Sequence, residues 1–228
     1  MAKATKQDFL LAVRKATFTE PGSFGIGGRM NESWFRGLEN ARSEQRFLDS
    51  CMTLCDVKGD VSGCGLQFAA QTVQFRDYPV SILNLSLHNP GAEDVHVDMI
   101  SLLRHEFCGE APMLVTAGGE KIEIPAPPPR PKERPATPPP HGHRFASMPR
   151  FEEQRYYLSF EECTVLIDYA GSKLFLAEPM GASLMIGQHD LTLKAGETLT
   201  LAPITLAVCE GDVECMKDLL AAWGEIHG

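Results

Sequence analysis

No stretch of this chain approaches the roughly 20 consecutive apolar residues that a membrane-spanning helix needs. Its apolar runs, such as Leu201 to Val208, are short. At the amino terminus the apolar core extends only from Phe9 to Val13 before Arg14 and Lys15 intervene, which is too short for a secretory signal. A cytoplasmic protein without a membrane segment is the expectation. Positive charge is also scarce. Twenty-one Lys and Arg stand against 30 Asp and Glu, a net charge of -9, which argues against broad binding to nucleic-acid phosphates. Paired Cys-x-x-Cys spacings are missing. The seven cysteines (51, 55, 64, 108, 163, 209 and 215) are odd in number and irregular in spacing, as expected of reduced, mostly buried thiols.

The familiar catalytic signatures are absent too. There is no Gly-x-Ser-x-Gly elbow, no P-loop lysine and no complete dinucleotide fingerprint. Cys51 and Cys55, four residues apart, would suit zinc on a helix, but they lack a second cysteine pair. His141 and His143 fall in a proline-rich stretch, where a strand that would aim both imidazoles at a metal is not expected. Gly25-Ile26-Gly27-Gly28-Arg29 reads as a loop and lacks the strand context of a phosphate cradle. Ser147 has no identifiable base. The expectation is therefore no catalytic residue, no metal and no cofactor.

What the chain does contain is alternation. Leu83, Leu85 and Leu87 alternate with Asn84, Ser86 and His88, a half-buried strand with one wet face. Asn89-Pro90-Gly91-Ala92-Glu93-Asp94 supplies a turn, and Val95, Val97 and Met99 resume the alternation, so this segment reads as a hairpin. A second hairpin is expected over Pro112 to Ile124, around Gly118-Gly119. Strands follow at Tyr156 to Phe160, Cys163 to Tyr169, Lys173 to Ala177, Ser183 to Ile186, Asp190 to Leu193 and Thr198 to Val208. Two helices are expected in residues 1–50: one from Gln7 to Lys15, the other from Asn31 as N-cap toward Ser50, with Trp34, Leu38, Ala41 and Leu48 on one face. Asp212 is the expected N-cap of a last helix, striped by Val213, Met216, Leu219, Leu220, Trp223 and Ile226.

Residues 125–150 differ in kind: 10 of 26 are proline, with five basic residues and one acid. Without that strip the chain carries 16 basic against 29 acidic residues, or -13 (21 - 5 and 30 - 1). The strip suits extended polyproline II, as a linker or an excursion. Arg130, Lys132, Arg134, Pro135 and Pro138 include a basic-x-x-Pro-x-x-Pro pattern that an aromatic groove reads, and they are the candidate binding residues.

Two stretches carry a family resemblance. Phe75-Arg76-Asp77-Tyr78-Pro79-Val80, leading into Leu85 through Asp94, resembles a strand pair in the amino-terminal β-supersandwich of family 36 α-galactosidases. Leu191 through Leu206, with Gly196-Glu197 and Pro203, is similar to the closing strand pair of that domain, and Gly211-Asp212 to the start of the helix after it. The resemblance implies a fold and a carbohydrate-associated setting. It carries over no catalytic residue, because the family's two catalytic aspartates lie in a barrel to which nothing here corresponds.

The expected fold is all-β, or β-rich α+β: an antiparallel β-sandwich or supersandwich with an amino-terminal helical arm and a carboxy-terminal amphipathic helix. Along the chain this divides into the arm (1–50), a first strand-rich half (51–124), the proline-rich strip (125–150) and a second half with the last helix (151–228). The expected function is non-catalytic: protein interaction, assembly or self-association, with a carbohydrate-associated module as the alternative implied by the resemblance. An enzyme with a site assembled from distant residues is the third possibility.

Overall fold

The computed structural model describes residues 25–106, 113–123, 155–169, 176–179 and 183–227. These form strands β1 (Gly25–Met30), β2 (Ser33–Arg36), β3 (Leu38–Phe47), β4 (Met52–Val61), β5 (Gln67–Phe75), β6 (Val80–His88), β7 (Val95–Glu106), β8 (Met113–Thr116) and β9 (Lys121–Glu123). After the proline-rich strip come β10 (Arg155–Ser159), β11 (Cys163–Tyr169), β12 (Leu176–Pro179), β13 (Ser183–Leu193), β14 (Thr198–Thr200) and β15 (Ile204–Glu210), then helix α1 (Val213–His227). A five-stranded sheet has the order β12-β13-β7-β1-β2. A ten-stranded sheet runs β3-β4-β5-β6-β15-β11-β10-β8-β9, with β14 also paired to β6. Every pairing is antiparallel. Strands from before and after the proline-rich strip share both sheets. No helix among the described residues is long and apolar enough to cross a membrane.

The main core takes one side of the inner strands of both sheets. Leu83, Leu85 and Leu87 of β6 are fully buried, and they join Phe68, Ile100, Leu102, Leu158, Ile167 and Leu206 in one cluster drawn from both sheets. Each such side chain contributes roughly 1.5–3 kcal/mol by leaving water. A second cluster lies beneath α1, where Met216, Leu219, Leu220 and Trp223 cover Val80, Val115, Tyr157, Leu166 and Ala207. Tyr156 and Tyr157 divide between the two clusters, as alternation requires. The start of α1 is fixed from both sides. The Asp212 carboxylate accepts from the Glu214 and Cys215 N–H groups at 3.1 Å, and the buried Thr164 hydroxyl donates to the Gly211 carbonyl at 2.9 Å. The six described cysteines are free thiols. Burial pushes the Cys209 thiol up to about 11.

Asn89 joins the two sheets. The chain leaves the ten-stranded sheet after β6 and enters the five-stranded sheet at β7; it returns between β13 and β14. Asn89 stands at the first crossing, and its side-chain amide reaches the second. Its Nδ2 donates to the carbonyls of Glu93 (2.8 Å), Leu193 (3.1 Å) and Lys194 (3.0 Å), so one of its two hydrogens is shared. Oδ1 accepts from Gly91 N–H at 3.0 Å. Its backbone N–H donates to Glu197 O, and its carbonyl accepts from Gly196 N–H. Although Asn89 is 0% exposed, both ends of its amide are satisfied.

Several sequence expectations change. The segment from Asn31 toward Ser50 is β2 and β3 rather than a helix. Asn31 and Glu32 have φ of 49° and 65°, and they turn the chain so that Ser33 lies opposite Met30. Asn tolerates that left-handed conformation, and the turn suits a hairpin. Phe35 is 8% exposed and Trp34 is 56%, a period of two, so Trp34 does not pack into the core. The Gly-rich stretch is β1: a Cβ at Gly28 would stand 2.1 Å from the Met99 carbonyl and 2.6 Å from the Phe35 ring. The β6–β7 segment is not a paired hairpin but an arch between sheets. Ile226, expected on the apolar stripe of α1, is 64% exposed. The hairpin β8–β9 forms as expected, and the expected strands β10 and β11 pair with each other. The first expected helix, Gln7 to Lys15, lies outside the described residues.

Asn89→Ala strands buried carbonyls at both crossings. Net hydrogen bonds of about 1 kcal/mol and unsatisfied groups of about 1–3 kcal/mol together give an expected loss of about 3–5 kcal/mol, read from urea unfolding midpoints. A loss below about 1 kcal/mol would show that the crossings hold without the amide.

Candidate functional site

The outer face of the ten-stranded sheet divides in two. Helix α1 covers one end, where Trp223 meets Phe75 edge-on at 5.4 Å and 81°. The other end, across β4, β5, β6 and β14, has no helix over it among the described residues. Register places Asp60, Gln67, His88 and Thr198 in one row, Lys58, Ala69, Ser86 and Thr200 in the next, and Asp56, Gln71 and Asn84 in a third. These are the outward positions of strands whose inward positions fill the core, so alternation alone gathers them. Ala69 is small and leaves a groove of about 480 Å³ lined by Asn40, Arg42, Lys58, Asp60, Gln67, Ser86 and His88.

Hydrogen bonds hold several of these groups in place. Asp60 accepts from Asn40 Nδ2 at 2.9 Å and from Gln67 Nε2 at 3.3 Å. His88 Nδ1 lies 3.2 Å from the Glu197 carbonyl and 2.9 Å from Thr198 Oγ1. A carbonyl only accepts, which favours the Nδ1–H tautomer and leaves Nε2 as an acceptor. That tautomer cannot deprotonate Thr198, so the pair does not form a nucleophile and base. The Asp56 carboxylate sits below the ordinary range because Gln71 donates to it (3.0 Å) and Arg46 does likewise (2.7 Å). The face offers amides, hydroxyls, an imidazole, carboxylates and two cations on a shallow surface, which is chemistry for hydrogen-bonding a hydroxyl-rich ligand.

A second cleft, of about 370 Å³, opens between α1 and β10, β11 and β15. Its charges are already paired. Arg155 Nε donates to Asp168 at 2.8 Å, and this bond raises the guanidinium pKa further; Lys217 binds Glu214 at 2.7 Å. The open face is therefore the better candidate.

The sequence-derived sites fare differently. Arg130, Lys132, Arg134, Pro135 and Pro138 lie outside the described residues, as do His141, His143 and Ser147. Cys55 and Cys64 are buried, with Cys55 on strand β4 rather than on a helix. Among the described residues no group of three or more His, Cys, Asp or Glu is placed to hold a metal. The polar face is not evident from sequence, because it takes two or three alternate residues from each of several strands. Its available signal was the wet alternation at Asn84, Ser86 and His88.

The depressed Asp56 pKa has a pH consequence. A carboxyl whose folded pKa lies below its unfolded value adds stability above the unfolded value, and that stability is lost as pH falls through the folded one. The expected result is a stability difference between the native protein and Asp56→Asn that is full above the ordinary value of 3.8 and shrinks below it. Urea titrations across that window measure it.

No protein-family model and no curated protein matches the chain. Solved structures do. The α-galactosidase from Lactobacillus brevis superposes with a TM-score of 0.60 at 10% identity, over 90% of this chain and 31% of that one. The GH36 α-galactosidases AgaA and AgaB from Geobacillus stearothermophilus give TM-scores of 0.58 and 0.55 at 12% and 11% identity, each over 89% of this chain and 32% of theirs. AgaA variants have been solved in complex with stachyose and with raffinose. This chain spans about a third of the length of those enzymes, and the shared feature is the fold. The resemblance seen in two sequence stretches therefore extends through most of the chain, which is built like the non-barrel third of GH36 α-galactosidases.

Proposed function

We propose that this protein is a non-catalytic, carbohydrate-associated β-sandwich module, and that the polar face of β4, β5, β6 and β14 is the surface it offers to a saccharide. The observation that carries this reading is the groove of about 480 Å³, lined by hydrogen-bonding groups, on a fold shared with part of α-galactosidases. Sugar hydroxyls donate and accept at once. They suit the mixture of Asp60, Gln67, Ser86 and His88 better than a purely cationic or apolar ligand would. The groove is shallow, and Phe68 in its lining is turned into the core at 1% exposure and offers no stacking platform, so affinity falls in about the millimolar range.

A second reading, protein assembly, is favoured by Phe47 and Leu48, which are 71% and 52% exposed at the end of an edge strand. On this reading the basic strip with Arg130, Lys132, Arg134, Pro135 and Pro138 is a further docking segment.

Amide-resolved NMR titration with raffinose and stachyose tests the saccharide reading. Shifts are expected at residues 58–60, 67–71 and 84–88, weakened in Gln67→Ala and His88→Ala, with no galactose released on long incubation. Absence of shifts with these sugars and across a glycan array removes the saccharide reading, and galactose release removes the non-catalytic one.

A further inference from the structure

The ten-stranded sheet ends on β3, and β3 is an unusual edge. The other edge strands are short: β9 has three residues, β2 four and β12 four, whereas β3 has ten. Every residue from Glu39 to Phe47 is exposed. Among the described residues no strand pairs with β3 on the side away from β4. Native edges are usually kept short, charged, bent by a bulge or covered, because a long bare edge is a template for another strand; β3 has a bulge between Glu39 and Arg42, and from Arg42 to Phe47 it pairs with β4 without interruption. Here the charges alternate: Glu39, Arg42, Glu44 and Arg46 sum to zero within a chain of net charge -9.

On the assembly reading just given, we propose that β3 is the edge at which two copies of this chain join, antiparallel about Ser43, into one continuous sheet. A two-fold axis perpendicular to the sheet sets residues opposite one another when their numbers sum to an even value. Centring on Ser43 places Arg42 opposite Glu44 of the second copy, and Glu44 opposite its Arg42. Centring on Arg42 sets that arginine against itself. Centring on Glu44 sets Glu44 against itself and Arg42 against Arg46. Centring on Gln45 pairs Glu44 with Arg46, but Arg46 is already held by Asp56 at 2.7 Å. Arg42 carries no ion pair to another described residue, and Glu44 has only Arg46, at 4.0 Å. The Ser43 register therefore uses the two charges that are available, and it lies at the middle of the strand. Directly opposed side chains in an antiparallel pair stand roughly 4.5–5.5 Å apart between Cβ atoms, within reach of an ion pair. Arg42 and Asn40 also line the polar groove, so joining at β3 brings two such grooves side by side.

Sedimentation of the full chain over a concentration series, with folding verified by circular dichroism, tests the inference. The native protein is expected at twice the 25.0 kDa chain mass. Glu44→Arg sets arginine against arginine twice and is expected to return the mass to one chain. Arg42→Glu combined with Glu44→Arg exchanges the signs, and only the Ser43 register is expected to regain the dimer. A native protein that stays monomeric throughout overturns both the inference and the self-association it rests on. A dimer indifferent to Glu44→Arg, or one not restored by the exchange, overturns the β3 register and leaves self-association to another surface.

Discussion

One buried amide ties together two of the crossings by which the chain passes between the sheets. A β-sandwich must pass its chain from sheet to sheet, and each passage exposes backbone groups that neither ladder can satisfy. Asn89 meets that requirement at two crossings together. Its N–H hydrogens take the carbonyls that end β13, while its own turn closes on Oδ1. The side chains around it add to the same end: Asp94 accepts from Ala195 N–H at 3.0 Å, and Glu197 accepts from Lys194 N–H at 2.7 Å. An apolar residue there would leave several carbonyls unsatisfied, and a carboxylate would face three oxygens. Only a group that donates and accepts at once fits.

Fixing that end of the sandwich sets what the ten-stranded sheet presents to solvent. β6 and β14 leave the crossing paired, with His88 opposite Thr198 and Ser86 opposite Thr200. The polar rows then extend outward through β5 and β4 to the β3 edge. At the opposite end α1 closes the same face with a second apolar cluster. One sheet thus supplies a core face, a helix-covered face, an open polar face and a long edge. The proposed saccharide surface and the proposed copy-to-copy joint lie next to each other on it.

Much of this was legible in the sequence where a local rule and the global fold agree. Leu83, Leu85 and Leu87 alternate because β6 is buried on one side, and Asp212 caps α1 as an N-cap should. The error over Asn31 to Ser50 has a physical source. Beyond Leu38, β3 is an exposed edge strand whose residues fill no core, so it lacks the apolar alternation that identifies a strand. Trp34, Leu38, Ala41 and Leu48 share a helical spacing without sharing a face. The reading of residues 83–99 as a hairpin failed for another reason. A turn sequence specifies that the chain reverses, but not whether the next strand pairs with the last one or crosses to the other sheet. The polar face escaped because it is a property of register between strands, which no short segment encodes.

Native-state hydrogen exchange tests the central claim most directly. The N–H groups of Asn89, Gly91 and Gly196 lie outside the ladders, yet each donates within the Asn89 network. If this amide holds the two crossings together, these three amides exchange only on global unfolding, with protection equal to that of β6 and β15. If they exchange at rates typical of open turns while the sheets stay protected, the crossings open independently and the account of the sandwich is wrong.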